Sequence, residues 1–182
     1  MTLANDNAAA EPKSGGSAIR QNSSVVQSFR EVMRGFASSV TIVTSVDELG
    51  HPSGMAATAV IPVSMDPPSM LVAVNQSASL FPVLERSQRF CVNILPLSQQ
   101  HIVKAFSSSD MRNQRFLADE WQRTPDGLLY LASAHGSVIC VCEKSVLYGT
   151  HSLYVGRVTS VIAGSLSDPL VWFNGAALAL QS

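Results

Sequence analysis

The chain has 182 residues, of which 46% are hydrophobic and only 14% charged, with a formal net charge of −1. That length fits one domain with a sizeable core, and a near-neutral chain without a basic stripe excludes nucleic acid and anionic membrane as main partners. No apolar run reaches the roughly 20 residues of a membrane helix, and the opening MTLANDNAAAEPKSGG lacks a basic region followed by an apolar stretch, so no signal peptide is expected and the cytoplasm is the expected compartment. So little charge on so apolar a chain also suggests that part of the surface is covered by another subunit, and a homo-oligomer is expected.

Residues 1–22, rich in Ala, Ser, Gly and Asn, read as a disordered tail, and a single domain is expected over 23–182. From Val25 the pattern changes. Phe29, Val32, Met33 and Phe36 fall on one helical face, with Ser23 or Ser24 as a cap and Gly35 near the end. VTIVTSV (40–46) is β-branched and reads as a strand. SGMAATAVIPVS (53–64) is small and apolar, and Pro62 marks an edge, a bulge or a strand end. MLVAVN (70–75) is a strand. ASLFPVLER (78–86) is a short helix with Pro82 confined to its first turn or kinking it. RFCVNIL (89–95) is strand-like, and SQQHIVKAF (98–106) is helical with Ser98 as its cap.

SSSDMRNQRF (107–116) is polar and loop-like, and LLYLASA, SVICVCEKSVLYGTH, LYVGRVTSVIAG and PLVWFN follow as strands. The run from 137 to 164, broken near Gly149-Thr150-His151, predicts a hairpin or a bent pair. Trp172 and Phe173 point to opposite faces of a strand, which places at least one in the core. Without regular βαβ alternation, this is a mainly β chain with α additions, built on an antiparallel sheet or barrel.

Of the three cysteines, Cys140 and Cys142 form C-x-C in an apolar run with no second ligand pair. They read as small buried residues, and no metal is expected. The chain has no G-x-G-x-x-G, no G-x-x-x-x-G-K-[ST] and no G-x-S-x-G. What remains is the small and hydroxyl run from Gly54 to Ser64. Small side chains would let a flat ligand approach the backbone, but the same run would also suit a strand packed tightly on a helix. His151, at a strand break, would either face a cleft or cap a turn.

Several stretches in order resemble the flavin reductase family that supplies two-component flavin monooxygenases: FREVMRGFASSVTIVTS (29–45), GHPSGMAATAVIPVSMDPPSMLVAV (50–74), ASLFPVLERSQRFCVNIL (78–95), QQHIVKAF (99–106), GTHSLYVGRV (149–158) and DPLVWFNG (168–175). The resemblance implies an FMN-binding split β-barrel, an antiparallel Greek-key barrel with flanking helices, acting as a homodimer with flavin sites near the subunit interface. It implies an NAD(P)H-dependent reductase that hands reduced FMN or FAD to a monooxygenase. NADH is favoured over NADPH, because no clear arginine pair awaits a 2′-phosphate. A non-catalytic flavin-binding module and an oxidase of the same barrel are the alternatives.

By position, the resemblance assigns Ala57, Thr58, Ala59, Val60, Ile61, Val63 and Ser64 to the isoalloxazine ring and ribityl chain. It assigns Ala78, Ser79, Leu80 and Phe81, with Asn75 and Ser77, to the phosphate or adenylate end, and Arg112 to a phosphate contact. His151 would sit beside the nicotinamide, with Trp172 and Phe173 nearby. The chain departs from the family's usual residues at Thr150, Pro62 and Ala177, where Asp, Ser and an aromatic are common.

Overall fold

A computed structural model describes residues 15–117, 120–165 and 167–179, with side chains from Ser24 onward. The chain divides into two compact units, Met1–Phe36 and Ala37–Ser182. The first contains helix α1 (Gly15–Arg34). Residues 1–14 of the expected tail lie outside the described residues, but 15–22 are helical, and Ser23 and Ser24 lie inside α1 rather than capping it. SAIRQN contains no proline or glycine to stop propagation, which is cheap once a helix is nucleated. From Ser24 on the side chains of α1 are exposed, including Phe29 and Val32.

The second unit is mainly β. In chain order it comprises β1 (Ser38–Ser39), β2 (Thr41–Val46), β3 (Pro52–Ala57), β4 (Val60–Met65), β5 (Pro68–Asn75), α2 (Phe81–Ser87), β6 (Arg89–Ile94) and α3 (Gln100–Ser107). Then come β7 (Trp121–Arg123), β8 (Leu129–Leu131), β9 (Gly136–Tyr148), β10 (His151–Ala163), β11 (Leu170–Phe173) and β12 (Ala176–Ala179). The short β1, β7 and β12 carry no sequence signal of their own. Ser98 sits inside a 3₁₀ turn (Leu97–Gln99) ahead of α3 and does not cap it. Pro82 occupies the first turn of α2, where its missing N–H costs nothing.

Seven strands form one antiparallel sheet in the order β3-β2-β6-β9-β10-β5-β4. Its two edges, β3 and β4, are joined by Thr58 and Ala59 alone. A link that short keeps Ala57 and Val60 within about 11 Å, so the sheet must curl until its edges meet. The edges are not hydrogen-bonded neighbours, and the barrel is therefore split along that seam. The single small-residue run expected at 53–64 is this seam: it ends one edge strand and starts the other. Pro62 lies on edge strand β4 beside a register shift between Pro62 and Ser64, where its missing N–H is tolerated.

Inside the barrel, Val43, Ala57, Val72, Val74, Phe90, Val92, Cys140 and Tyr154 pack together with Leu80 and Leu84. Leu84 makes α2 the plug of one end. The tie is polar as well, since Tyr154 donates its hydroxyl to Glu85 Oε1 at 2.5 Å. Outside the barrel, Ile42, Leu95, Ile102, Phe106 and Leu170 gather under α3 and β11, and Val46, Cys91, Leu128, Leu129 and Ile139 under β7 and β8. Strand β2 is thus buried on both faces along its length. Asn93 supplies the polar hub there. Its Nδ2 donates to Ile42 O at 2.9 Å, and its Oδ1 accepts from Leu131 N and Ser137 Oγ, each at 2.8 Å.

The expected hairpin is β9–β10, turning at Gly149 and Thr150. Gly156, at one of its register shifts, must be glycine, because a Cβ there would stand 2.5 Å from the Phe90 ring. Cys140 and Cys142 share the inward side, as alternation requires. One core expectation fails. Trp172 and Phe173 are each 40% exposed, and Leu170 and Val171 fill the buried positions of β11 instead. The strand buries its first half and projects its second.

Candidate active site

The seam of the barrel opens a cleft of about 170 Å³ lined by Val40, Ala56, Ala57, Thr58, Val103, Ser107 and Trp172. Small side chains on the floor and a tryptophan wall suit a flat aromatic ligand. The floor's backbone is already partly committed. Ala57 O accepts from Thr41 Oγ1 at 2.8 Å, and Ala59 O from Ala73 N at 3.0 Å. Thr58, exposed between them, makes no internal hydrogen bond among the described residues. Its amide, carbonyl and hydroxyl are the groups left to meet a ligand's polar edge. The two readings of the small-residue run fall at different positions. Gly54 belongs to packing, since a Cβ there would come within 2.9 Å of Phe106 and 3.2 Å of Phe116. Ala56, Ala57 and Thr58 belong to the cleft.

Val60, Ile61, Val63 and Ser64 run away from the seam on β4. Ile61 is 55% and Val63 51% exposed, so these positions offer an open apolar edge rather than a closed wall. Ser64 Oγ is used locally, donating to Asp66 O and accepting from Asp66 N, each at 3.0 Å.

Beyond β5, residues 75–80 form a knot of turns. Asn75 Oδ1 accepts from Ser77 N at 2.9 Å and Ser77 Oγ at 2.8 Å. Ala78 N donates to Asn75 O, and Phe81 N to Ala78 O. Asn75 and Ser77 thus hold each other, while the amides of Ser79 and Leu80 have no internal acceptor among the described residues. The helix begins at Phe81, past Ser79.

A cation missed in the sequence stands here. Arg115 is 8% exposed. Its Nη1 donates to Gly54 O at 2.7 Å and reaches Ser79 Oγ at 3.5 Å; Nε donates to Ala105 O at 2.9 Å and Nη2 to Ser108 O at 3.0 Å. No carboxylate pairs with it among the described residues. Burial, and then the nearby Arg112 guanidinium, lower its pKa from the usual arginine value. The result is an uncompensated positive charge beside Ser79 and the end of α3. Arg112, the residue chosen from the sequence, is exposed. Both belong to R-N-Q-R, and only the packing of Phe116 against Phe106 and Trp121 selects the second arginine for burial.

His151 opens β10 opposite Asn75 of β5. Its Nδ1 lies 3.0 Å from Thr150 Oγ1, which leaves Nε2 for an outside partner. Asn75 is two residues from Ala73, itself bonded to Ala59, so His151 lies about two residues along and two strand spacings across from the seam, roughly 12 Å away. The structure thus gathers Ala57, Thr58 and Trp172 in one cleft, Ser79, Leu80 and Arg115 in a second cluster, and Asn75 with His151 between strands. It does not bring Phe173 or Arg112 into the cleft lining.

A small split barrel with a small-residue cleft and a buried, uncompensated arginine beside Ser79 is the architecture of the domain. The chain belongs to the flavin reductase like domain family, whose model matches residues 33–181. It is 39% identical over 153 residues to the reductase component of an FADH(2)-dependent resorcinol hydroxylase from Rhizobium sp. (strain MTP-10005), covering 82% of this chain and 84% of that protein. It is 34% identical over 146 residues to an FMN reductase (NADH) RutF from Pseudomonas syringae pv. syringae (strain B728a), covering 80% and 82%. Among solved structures it resembles nitrilotriacetate monooxygenase component B from Mycobacterium thermoresistibile (TM-score 0.81, 27% identity, 88% of this chain and 89% of that one). It also resembles BorF, the flavin reductase component of a bacterial two-component tryptophan halogenase (TM-score 0.79, 28% identity, 86% and 99%).

Proposed function

We propose that this protein is an NADH-dependent flavin reductase that passes reduced flavin to a partner monooxygenase. The observation that carries the reading is the seam cleft. Its Ala56–Ala57–Thr58 floor and Trp172 wall lie in a chain whose relatives are named as FMN reductases (NADH) and as the reductase component of an FADH(2)-dependent hydroxylase. FMN or FAD fits the residues present. The ring would lie on Ala57–Ile61 with Thr58 meeting its polar edge. Phosphate oxygens would be drawn to the Ser79 and Leu80 amides by the uncompensated Arg115, with Arg112 at the rim. Val63 and Ser64 would flank the ribityl chain. The hydride chemistry itself would be supplied by the two cofactors, nicotinamide as donor and flavin as acceptor.

The protein's own work is positional. His151 would use Nε2 to orient the nicotinamide, and Trp172, half-exposed on the cleft wall, would flank it. Near-attack geometry is worth up to ~7–11 kcal/mol of barrier, so a positioning error alone is costly. No side chain need act as a nucleophile or move a proton.

The homodimer expected from the sequence is supported by the exposed apolar side chains Ile61, Val63, Met65, Val146, Leu147 and Tyr148. The cleft's volume also falls below the roughly 300–1,000 Å³ of a pocket that encloses a ligand, which suits a site completed by a second chain. Free Cys91, Cys140 and Cys142 suit a reducing cytoplasm.

The test follows absorbance at 340 nm after adding NADH with FMN or FAD. Flavin-dependent NADH oxidation is expected, and its absence sinks the proposal. His151→Ala should slow stopped-flow flavin reduction by about ten- to a hundred-fold, equivalent to ~1.4–2.7 kcal/mol, with flavin affinity retained. Unchanged kinetics would remove His151 from its role.

A further inference from the structure

We propose that Gln76 is a positioning residue that couples the flavin-phosphate segment to the nicotinamide side. The inference rests on the functional reading above. Gln76 is the one residue of the 75–80 knot that reaches across to the β9–β10 turn by two separate groups. Its backbone N–H donates to Thr150 O at 3.0 Å, and its side-chain Nε2 donates to Gly149 O at 3.1 Å. Thr150 in turn holds His151 Nδ1 through Oγ1 at 3.0 Å. On the other side, Gln76 stands between Asn75 and Ser77, whose side chains lock the turn that presents the Ser79 and Leu80 amides.

The consequences follow from where these bonds end. The tip of the hairpin carries Gly149 in the left-handed region (φ 58°). The exposed side chains Val146, Leu147 and Tyr148 lead into it, so little packing holds the tip. The ladder fixes the His151 backbone against Asn75 and Tyr148, and the two hydrogen bonds from Gln76 fix the turn before it, and with it the Thr150 hydroxyl that holds the His151 ring. A flavin phosphate that orders residues 77–80 would order Gln76 as well, and through it the imidazole. By thermodynamic reciprocity the nicotinamide nucleotide must then tighten flavin binding by the same factor. The interaction requires no proton transfer, and the groups facing His151 across the sheet are Asn75 and Tyr148.

The experiment measures FMN affinity of the full chain by fluorescence quenching, with and without saturating NAD⁺, which cannot reduce the flavin. The wild type should bind FMN about five-fold more tightly with NAD⁺ present, at the low end of ordinary coupling. Gln76→Leu keeps the side chain's bulk and the backbone bond but loses the Nε2 donor. It should bring that factor to between about one and two, raise KM for NADH, and leave FMN affinity without NAD⁺ within about two-fold. Thr150→Val cuts the next link and should give the same loss, while Thr150→Ser should restore the coupling. It serves as the test if Gln76→Leu fails to fold. Undiminished coupling in both variants overturns the proposal, as does a wild type in which NAD⁺ leaves FMN affinity unchanged. A loss of FMN affinity equal in both conditions also overturns it, since that is a merely structural effect. Wild-type protein that neither binds FMN nor oxidises NADH would instead overturn the functional reading.

Discussion

Strands β2 and β4 are each six residues long, and VIPVSM of β4 is if anything more apolar than TIVTSV of β2. Yet every residue of β2 is buried, while on β4 four of six are exposed and none is buried. The difference is position. β2 lies between β3 and β6 with the barrel interior on one face and the α3 and β7–β8 layers on the other. β4 is the last strand, paired only with β5. Apolar side chains thus build the core in one strand and stay exposed in the other.

The sharpest way to break this comparison is a matched truncation. Ile42→Ala, at a side chain with no exposure, should cost about 2–5 kcal/mol in urea unfolding. Ile61→Ala, on the open strand, should stay within about 0.5 kcal/mol when dissociated protein is compared. Equal costs would show that the two strands share one environment.

A smaller effect is expected at Tyr154, the inward counterpart on β10. Burial, and then its bond to Glu85, push the Tyr154 hydroxyl pKa well above its ordinary value of 10.0. The folded state therefore holds the proton more tightly than the unfolded chain does. The stabilisation is complete below about pH 10 and is lost as pH rises from there through the folded value. Tyr154→Phe should lose about 1 kcal/mol at neutral pH and show a flatter decline of stability above pH 10 in alkaline denaturant titrations. A parallel decline in variant and wild type would contradict this.

The smallest effect on folding, with the largest on assembly, is expected for Val63→Lys. Half-exposed on the edge strand, it should leave the thermal midpoint nearly unchanged but shift the sedimentation coefficient from dimer toward monomer and weaken flavin retention. A variant that stays dimeric would move the interface away from β4.

Much of this was legible in advance. Alternation and β-branching located β2, β5, β6 and the β9–β10 hairpin, because each buries a large apolar area with a period set by the strand itself. Pro62 and Pro82 announced an edge and a helix start, because a missing N–H restricts where proline can stand. The family resemblance supplied the seam residues Ala57 and Thr58. Other features were hidden. β1, β7 and β12 are short and exist because a longer neighbour offers hydrogen bonds. Arg115 could not be told from Arg112, since both lie in one polar loop and differ only in which is turned inward by the Phe106–Phe116–Trp121 cluster. At least one of Trp172 and Phe173 was expected in the core. Instead both ends of the pair project, because β11 buries Leu170 and Val171 first.

The sequence by itself determined a mainly β chain and, through ordered motifs, its family, and it located the small-residue run, since periodicity, proline geometry and side-chain size act locally. Only the tertiary structure decided that Thr58 and Ala59 join the two open edges of one sheet, that Arg115 is the buried cation near Ser79, and that Gln76 spans to the turn before His151. Those depend on contacts between residues far apart in the chain, and local chemistry carries no record of which distant groups a closed barrel will bring together.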